Sequence, residues 1–346
     1  MTRIDARSRA LGMMHWGDSP DMNYTMRGRG GGELVWTNNE YDFPHASMLM
    51  YARTARRCYL DGALAAARHW MDVDICHFSK NPLHLGGQWT HSPNHVKNSS
   101  VSCSHQWVEG LLDYYHFTGD KTAFGAAIGI GENVLRQLDT PQFHQKGSIN
   151  ARETGWALRT MVALYLETYD NRWLERADWI VGHFEDWKKE YGNWLAPYTD
   201  NTTVRVVFMI SIAVGSLMRY YRICPQNKKD KLKAMMIDAV DDLLENGMLD
   251  NGLFYYKELP SLQKMGGNTI VLEALTYAYE MTGNKKYLEA GLITFEYALN
   301  VSTPLGEMTA TGGAVITDGP GPKLFAQSFL PMTVFYKAAS ECGLLT

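Results

Sequence analysis

The amino-acid sequence predicts an all-α fold, an (α/α)6 toroid or barrel built from helical hairpins with long loops on one face. Three observations predict it. From Phe43 onward, apolar residues recur at helical spacing in stretches separated by short breaks. Several breaks carry a glycine before Asp or Asn, as in Gly119-Asp120 and Gly283-Asn284, which suits a left-handed helix end followed by a cap. Longer polar loops alternate with these short turns, as expected of repeated hairpins with one functional face.

The same periodicity gives the elements in order. We expect helices over 43–57, 59–73, 104–118, 120–137, 152–169, 171–190, 203–223, 228–246, 267–282, 284–300 and 325–341. The long loops are then 74–101, 138–151, 191–202, 247–266 and 301–324.

Residues 1–42 show little periodicity, so we expect an irregular N-terminal lead-in packed on a toroidal catalytic domain over 43–346, a single domain overall. The run Arg27-Gly28-Arg29-Gly30-Gly31-Gly32 follows no predicted strand, which argues against a nucleotide-binding loop. An open helical solenoid is the alternative architecture, but such repeats usually have short, regular connections.

Composition limits the class of partner. The formal net charge is -4 with interspersed signs, which argues against nucleic acid and anionic membranes as partners.

The most apolar stretch, 206–218, is too short to span a bilayer, and no apolar region follows Met1. We therefore expect a cytoplasmic protein, or a secreted one if a signal was removed. Five scattered cysteines favour a reducing compartment. The 10 Trp and 19 Tyr, many beside Gly, Asn or His, favour an oligosaccharide or polysaccharide substrate, while the oligomeric state stays open.

The densest polar cluster directly precedes the first predicted helix. Asp42 suits the N-cap, with Pro44 near the first helical position. Capping requires only one short acceptor, so Asn39, Glu40 and Asp42 are candidates for substrate binding, and Tyr41 is a candidate catalytic residue.

A second cluster lies on the loop His84-Leu-Gly-Gly-Gln-Trp-Thr-His-Ser-Pro-Asn-His95. Histidine can act as general acid or base near neutral pH, so His91 is a catalytic candidate, while Trp89 and His95 are candidates for substrate binding. The weak candidates for a divalent metal are Asp74, His77, His91 and His95. Pro93 argues against one helical face that presents both His91 and His95, so we expect no cofactor.

Two further clusters begin helices. His105 and Glu109 fall four positions apart on one predicted helix, as an acid/base pair or a sugar clamp, unless Ser102 and Ser104 simply cap that helix. Arg152 can hold a carboxylate through its bidentate geometry, although a structural pair with Glu153 is the alternative. The remaining binding candidates are Asn150, Glu153, Tyr198, Arg205 and Tyr256.

Several strings stand out: Gly12-Met-Met-His-Trp-Gly-Asp18, Trp36-Thr-Asn-Asn-Glu-Tyr-Asp42, Ala67-Arg-His-Trp-Met-Asp-Val-Asp74, His77 and the loop Gly86-Gly87 to His95. They resemble the exo-acting rhamnogalacturonan lyase and YetA-like family, polysaccharide lyase family 26. The resemblance implies an (α/α) toroid and β-elimination on a glycan that contains uronic acid. Such a lyase needs a group that neutralises the substrate carboxylate, a base and an acid. We infer that Arg152, with Asn39 or Asn150, can neutralise the carboxylate, and that Tyr41, His91 or His105 can transfer protons.

Two other functions remain open at this stage. A glycoside hydrolase on the same toroid, similar to glucuronidases or unsaturated glucuronyl hydrolases, would use carboxylates such as Glu40, Asp42, Asp74, Glu109 or Glu153. A module that binds glycan or protein without catalysis would present a large apolar or aromatic face and no converging titratable groups. The polar clusters favour an enzyme, and the histidine-rich loop favours a lyase or metal-assisted chemistry over a hydrolase that uses two carboxylates alone.

Overall fold

The computed structural model describes residues 16–97, 99–197, 202–258, 269–301 and 322–345. These residues are mostly helical. The α-helices are α1 Met22–Met26, α2 Phe43–Thr54, α3 Arg57–His69, α4 Glu109–Thr118, α5 Lys121–Leu138, α6 Ala151–Thr168, α7 Asn171–Tyr191, α8 Val207–Ile223, α9 Gln226–Asn246, α10 Ile270–Thr282, α11 Lys286–Val301 and α12 Pro322–Glu341. Four two-residue strands accompany them, β1 Val35–Trp36, β2 Ser92–Pro93, β3 Ala196–Pro197 and β4 Thr203–Val204.

The short turns between helices have the predicted chemistry. Gly119 ends α4 and Gly283 ends α10, each in the left-handed conformation with its amide bonded to the last turn of the helix. Tyr169 takes the same conformation at the end of α6, and the side chain of Asp170 then caps α7 by accepting from Arg172 N. The hairpin junctions predicted from Gly, Asp and Asn are therefore confirmed.

The described residues within 1–137 and 302–327 form one compact unit, and those within 138–301 and 328–346 form a second. In the first unit, α2 packs on α3 and α4, and α3 packs on α4. The strands β1 and β2 pair antiparallel, with Val35 opposite Pro93 and Trp36 opposite Ser92. This pairing joins the segment before α2 to the loop that carries the predicted histidines.

The second unit has two helical layers. Helix α8 packs on both α6 and α10, so these three helices form one layer, while α7 packs on α6, α9 packs on α8, and α11 packs on α10. Helix α8 is buried along most of its length, which explains the apolar composition of the stretch 206–218. The pair β3 and β4 is antiparallel.

Two helices begin four or five residues later than predicted. The helix expected over 203–223 begins at Val207, after β4. The helix expected over 104–118 begins at Glu109, and Cys103–His105 form a single 3-10 turn that has no side-chain cap from Ser102. The backbone of Gln106 is extended between the 3-10 turn and α4, because the buried Gln106 Oε1 accepts a hydrogen bond from Gln88 N at 3.1 Å. The prediction that His105 and Glu109 share one helical face is therefore wrong.

The lead-in before α2 is less irregular than predicted, since it contains α1 and β1. The division into a lead-in over 1–42 and a catalytic domain over 43–346 stays a prediction. Among the helices in the described part of the chain, none is both long and apolar enough to cross a bilayer.

Candidate functional site

The loop between β1 and α2 has an uncommon backbone conformation. Asn38, Asn39, Tyr41 and Asp42 all lie in the left-handed region, with φ between 49° and 68°. Residues other than glycine adopt this region rarely, at a cost of about 1–3 kcal/mol each where the surroundings enforce it. Asn38, Asn39 and Glu40 are at most 2% exposed. The loop therefore holds polar side chains in fixed directions inside the first unit.

One group of side chains surrounds Glu40, and we call Glu40, Asp21, Lys323, His91 and His105 the Glu40 cluster. Lys323 Nζ lies 2.6 Å from Glu40 Oε2 and 2.8 Å from Asp21 Oδ2. His105 Nε2 lies 3.5 Å from Glu40 Oε1, and the ring centroids of His105 and His91 are 5.1 Å apart. Two carboxylates thus share one ammonium group, with two imidazoles beside them.

The charges of this cluster follow from its contacts. Burial alone would raise the pKa of the Glu40 carboxyl, but Lys323 and then His105 outweigh burial and hold that pKa well below its ordinary value. Burial would likewise lower the pKa of Lys323, but Glu40 and Asp21 outweigh it and raise that pKa. Burial lowers the pKa of His91 to about 4, although Glu40 opposes this shift. At neutral pH, Glu40 and Lys323 are therefore charged and His91 is neutral.

Aromatic rings border the Glu40 cluster. The Tyr24 ring lies 4.1 Å from the His91 ring, between centroids, and Lys323 Nζ lies 4.2 Å from the Tyr24 centroid. Tyr41 contacts Trp107 with ring centroids 5.9 Å apart. Tyr24, Tyr41, His91 and Lys323 are all partly exposed. A few polar groups among aromatic rings are what small-molecule sites present to a ligand.

A second group, which we call the Asp74 cluster, consists of Asp18, His69, Asp74 and His95, each at most 1% exposed. His69 Nε2 lies 3.1 Å from Asp74 Oδ1. His95 Nδ1 lies 3.3 Å from the same oxygen and 3.5 Å from Asp18 Oδ2. The cluster joins the segment before β1, the end of α3 and the loop after β2.

The π-helical turn Trp70–Asp74 explains how His69 and Asp74 meet. This turn extends α3, and Ile75 N bonds Trp70 O at 3.2 Å, five residues back. Such a widened turn brings side chains five positions apart onto one side, and π turns occur frequently at functional sites. Opposite charges then lower the Asp74 pKa: burial alone would raise it, but His69 and His95 outweigh burial and lower it to about 2.

The asparagines of the left-handed loop orient the Asp74 cluster. Asn38 Nδ2 donates to the backbone oxygens of Trp89, Thr90 and His95 at 2.8–3.2 Å. This fixes the amide so that Asn38 Oδ1 lies 2.9 Å from His95 Nδ1. Asn39 Nδ2 donates to Asp74 Oδ2 at 3.0 Å. Asn39, a predicted binding residue, therefore contacts Asp74.

Asp42, Trp89 and Glu109 have other partners in the first unit. Asp42 is the N-cap of α2: its Oδ1 accepts from His45 N at 3.1 Å and its Oδ2 accepts from Gly110 N at 2.9 Å. Trp89 packs its ring edge-on against His84, 5.1 Å away. Burial would lower the pKa of His45, but Asp113, Asp42 and Glu109 outweigh it and raise that pKa. Asp42 is therefore a structural cap, as its position predicted.

The four metal candidates from the sequence do not form one site. Asp74 and His95 lie together in the Asp74 cluster, whereas His91 lies in the Glu40 cluster. His77 is exposed, and its Nε2 lies 2.7 Å from the backbone oxygen of Met71. Each cluster nevertheless presents ligand atoms, one per residue, within 4.8 Å of one another: Asp18, His69, Asp74 and His95 in one, and Glu40, His91 and His105 in the other.

The other predicted residues belong to the second unit. Asn150 caps α6 by accepting from Glu153 N at 3.0 Å. The Arg152 guanidinium lies 5.9 Å from the Phe208 centroid, and Tyr256 stacks on that ring at 5.1 Å. Tyr198 lies outside the described residues. The predicted convergence of these residues with His91 and His105 stays a prediction.

Arg205 is buried and is engaged by two carboxylates. Its Nε and Nη2 donate to the two oxygens of Asp242, and its Nη1 donates to Glu258 Oε1, each at 2.8 Å. Glu258 Oε2 also accepts from Arg205 N at 2.9 Å. The charge of this predicted binding residue is therefore compensated within its own unit.

Sequence reasoning missed several members of the two clusters. Asp18 and His69 stood in or beside the motifs that carried the resemblance, so their type and position were visible. Asp21 and Lys323, and Tyr24 at the border of the Glu40 cluster, lay in segments without a recognisable pattern, and Lys323 is 302 positions from its partner Asp21. Only the folded chain brings these residues together.

The comparisons with known proteins concern both fold and family. The chain is similar to a cellobiose 2-epimerase from Bacillus thermoamylovorans, with 16% identity, a TM-score of 0.62 and 86% of each chain covered. It is also similar to a polysaccharide lyase, with 13% identity, a TM-score of 0.57 and coverage of 100% and 98%. A third similar structure is a glycosyl hydrolase of family 88 from Bacteroides vulgatus, with 13% identity, a TM-score of 0.53 and 97% of each chain covered. These likenesses confirm the predicted all-α (α/α)6 toroid fold.

A comparison with curated protein sequences finds no match. The family model of the β-L-arabinofuranosidase GH127 catalytic domain matches residues 45–250, which is more than half of the 346 residues. The prediction of a carbohydrate-active enzyme is therefore confirmed, while membership of polysaccharide lyase family 26 stays a prediction. The chain belongs to the family of the β-L-arabinofuranosidase GH127 catalytic domain.

Proposed function

We propose that this protein is a glycoside hydrolase, that its substrate is a β-L-arabinofuranoside, and that the Glu40 cluster is its catalytic centre. The observation that carries the proposal is the charge balance of that cluster. Glu40 and Asp21 share the single ammonium of Lys323, so two carboxylates face one cation. Glycoside hydrolysis passes through an oxocarbenium-like transition state, which such an excess of negative charge stabilises.

The same balance argues against a substrate that carries a carboxylate. A uronic acid requires a cation or donors that are not already used by the protein. Within the described part of the Glu40 cluster, the one Lys side chain already contacts two carboxylates at 2.6 and 2.8 Å. A neutral sugar avoids this repulsion, and an arabinofuranoside, the sugar in the name of the matched family, is neutral.

The chemical roles follow from the charge states. Glu40 is ionised, so it acts at the anomeric carbon as a nucleophile or as a fixed charge, and not as a proton donor. His91 is neutral at working pH and partly exposed, which suits a base that accepts a proton from water. His105 bridges Glu40 and the Ser104 hydroxyl, with its Nδ1 2.9 Å from Ser104 Oγ, and we assign it the proton transfer to the leaving oxygen.

The test is release of nitrophenol from the nitrophenyl β-L-arabinofuranoside by the full-length protein. Glu40→Gln keeps the shape of the side chain and removes its charge, so we expect kcat to fall by about 10²–10⁴-fold. The matched control is Glu33→Gln, which removes another carboxylate paired with a lysine, Lys97 at 2.5 Å, but at a site that is about half exposed. We expect Glu33→Gln to keep wild-type kcat. Equal activity of both variants would refute the role of Glu40.

The pH profile gives a second test of the same site. Because the pKa of His91 is lowered to about 4, His91 stays neutral as the pH falls from 7 to 5. We therefore expect its contribution to kcat to disappear only near pH 4, as His91 becomes protonated. A loss of kcat centred near pH 6.5 that is absent from His91→Gln would contradict this assignment.

β-Elimination on a uronic-acid glycan is the second candidate function, favoured by the neutral His91 with Tyr41 near Lys323. A lyase needs a base and an acid for proton transfer, and an imidazole and a phenol can take these roles. Absorbance near 235 nm, recorded with pectic and glycosaminoglycan fragments, detects the unsaturated uronate that elimination forms. New absorbance with no hydrolysis of the arabinofuranoside would replace the hydrolase proposal.

A further inference from the structure

We propose that the Asp74 cluster binds one divalent transition-metal ion, with Zn²⁺ as the probe, and that this ion is structural. Two imidazole nitrogens and two carboxylate oxygens form the donor set, from Asp18, His69, Asp74 and His95. Zinc in structural sites takes four N, O or S ligands in a closed tetrahedron. The proposal does not depend on whether the Glu40 cluster catalyses hydrolysis or elimination.

The spacing of the donor atoms supports an ion between them. In a tetrahedron with metal–ligand bonds of about 2.0–2.1 Å, neighbouring ligand atoms are about 3.3–3.4 Å apart. The cluster has neighbouring donor atoms 3.1, 3.3 and 3.5 Å apart. Direct hydrogen bonds between a charged imidazole and a carboxylate are usually shorter, about 2.7–2.9 Å. The His45–Asp113 pair in the same unit is such a direct pair, at 2.7 Å.

The charge and burial of the cluster point the same way. Asp18, His69, Asp74 and His95 are 0–1% exposed, so water compensates none of their charges. Two buried carboxylates together supply the negative charge that balances one divalent ion.

The surroundings have the features of a prepared ligand shell. Asn39 Nδ2 donates to Asp74 Oδ2, the oxygen that faces away from His69 and His95, as outer-shell partners of metal-bound carboxylates do. Asn38 is fixed by three backbone oxygens with its Oδ1 2.9 Å from His95 Nδ1, so it helps to orient the His95 ring. His95 itself has φ 61°, a costly conformation for a buried residue that holds its ring in the cluster.

The expected role of the ion is to hold three segments of the first unit together. Asp18 precedes β1, His69 and Asp74 lie at the end of α3 and of its π-helical turn, and His95 follows β2. Asn38 and Asn39 attach the left-handed loop to these residues. With no exposed ligand, the ion has no open position for substrate, which distinguishes a structural site from a catalytic one.

The first test is the metal content of the full-length protein, purified without chelator and measured by inductively coupled plasma mass spectrometry. We expect about one equivalent of zinc or another first-row divalent metal in the wild type and at least a tenfold lower content in His69→Gln and His95→Gln. The matched control is His45→Gln, which removes a partly buried histidine paired with a carboxylate outside the cluster and should keep its metal. Equal metal content in all four proteins would overturn the assignment.

The second test uses only the wild type, in case the variants do not fold. We expect dipicolinate to lower the midpoint of thermal unfolding and Zn²⁺ to restore it, with release of protons on rebinding in a weakly buffered solution. A wild type that lacks metal after expression with added Zn²⁺, and whose midpoint responds to neither reagent, would show that the cluster is a metal-free ion-pair network.

Discussion

Lys323→Met isolates the interaction that sets the charge of the Glu40 cluster. Methionine keeps most of the apolar stem and removes the ammonium group. Glu40 and Asp21 are then left as neighbouring carboxylates, 2% and 6% exposed, without their shared cation. Removing one partner of a buried ion pair costs about 3–5 kcal/mol. The Lys323 side chain is 22% exposed, so we expect the lower part of that range, about 3 kcal/mol at pH 7.5.

The pH dependence of this loss carries the sharper test. In the wild type the pKa of Glu40 is held low, so the ionised carboxylate stabilises the folded state above the pKa that Glu has in the unfolded chain, about 4.3. This stabilisation is lost as the pH falls through the pKa of Glu40 in the folded protein. In Lys323→Met the main cause of the low pKa is absent, and burial raises the pKa of Glu40. The variant can therefore protonate Glu40 at mildly acidic pH, and we expect its deficit to shrink between pH 7.5 and 5.

Urea unfolding followed by circular dichroism at both pH values measures these free energies. Lys286→Met is the matched control. Lys286 also pairs with an aspartate, Asp241 at 2.7 Å, and lies 4.7 Å from a tyrosine ring, but its side chain is 46% exposed. An exposed pair contributes at most about 1 kcal/mol. A deficit for Lys323→Met as small as that of the control, or one that does not change with pH, would refute the reasoning.

Two further predictions concern packing and charge. Gly110→Ala places a Cβ 2.8 Å from both His45 N and Pro44 Cβ, beside the capping Asp42. We therefore expect the free energy of unfolding, measured with urea, to fall by about 1–3 kcal/mol. Gly125→Ala, in open space on α5, is the control and should be neutral or slightly stabilising. Equal stability of the two variants would contradict the close packing. In Arg205→Lys, the ammonium group cannot make the three guanidinium hydrogen bonds to Asp242 and Glu258. We therefore expect the free energy of unfolding to fall by about 2 kcal/mol while KM stays unchanged. A raised KM with full stability would instead support substrate binding by Arg205.

The fold was predictable because its signals are local. Apolar residues at helical spacing predicted the helices within a few residues, and Gly119 and Gly283 marked helix ends that the structure has in left-handed conformations. The helix start at Glu109 was not predictable, because Ser102 and Ser104 give a strong local capping signal. The buried network around Gln106 overrides that signal, and it depends on Gln88, 18 positions away.

The site was only partly predictable, for the same physical reason. Short motifs indicated the loop with Asn39, Glu40 and Tyr41, since one helix cap does not need so many polar side chains. The partners that determine their charges come from distant segments. Lys323 reaches Glu40 from α12, and Asp18 reaches the Asp74 cluster from the lead-in. The sequence predicts which side chains are polar and close along the chain, but not which of two neighbouring clusters each one enters.

The left-handed loop separates those two clusters within three residues. Asn38 and Asn39 direct their amides to the buried Asp74 cluster, whereas the next residue, Glu40, contacts Lys323 and His105 in the partly exposed Glu40 cluster. In a regular strand, successive side chains would also point to opposite faces. A strand could not, however, change direction within these residues to place Asp42 as the N-cap of α2. The positive φ angles of Asn38, Asn39, Tyr41 and Asp42 make that turn. Because the Asp74 cluster holds the amides of this loop, it also fixes the position of Glu40, and the proposed structural ion would preorganise the carboxylate that we propose as catalytic, without contacting substrate.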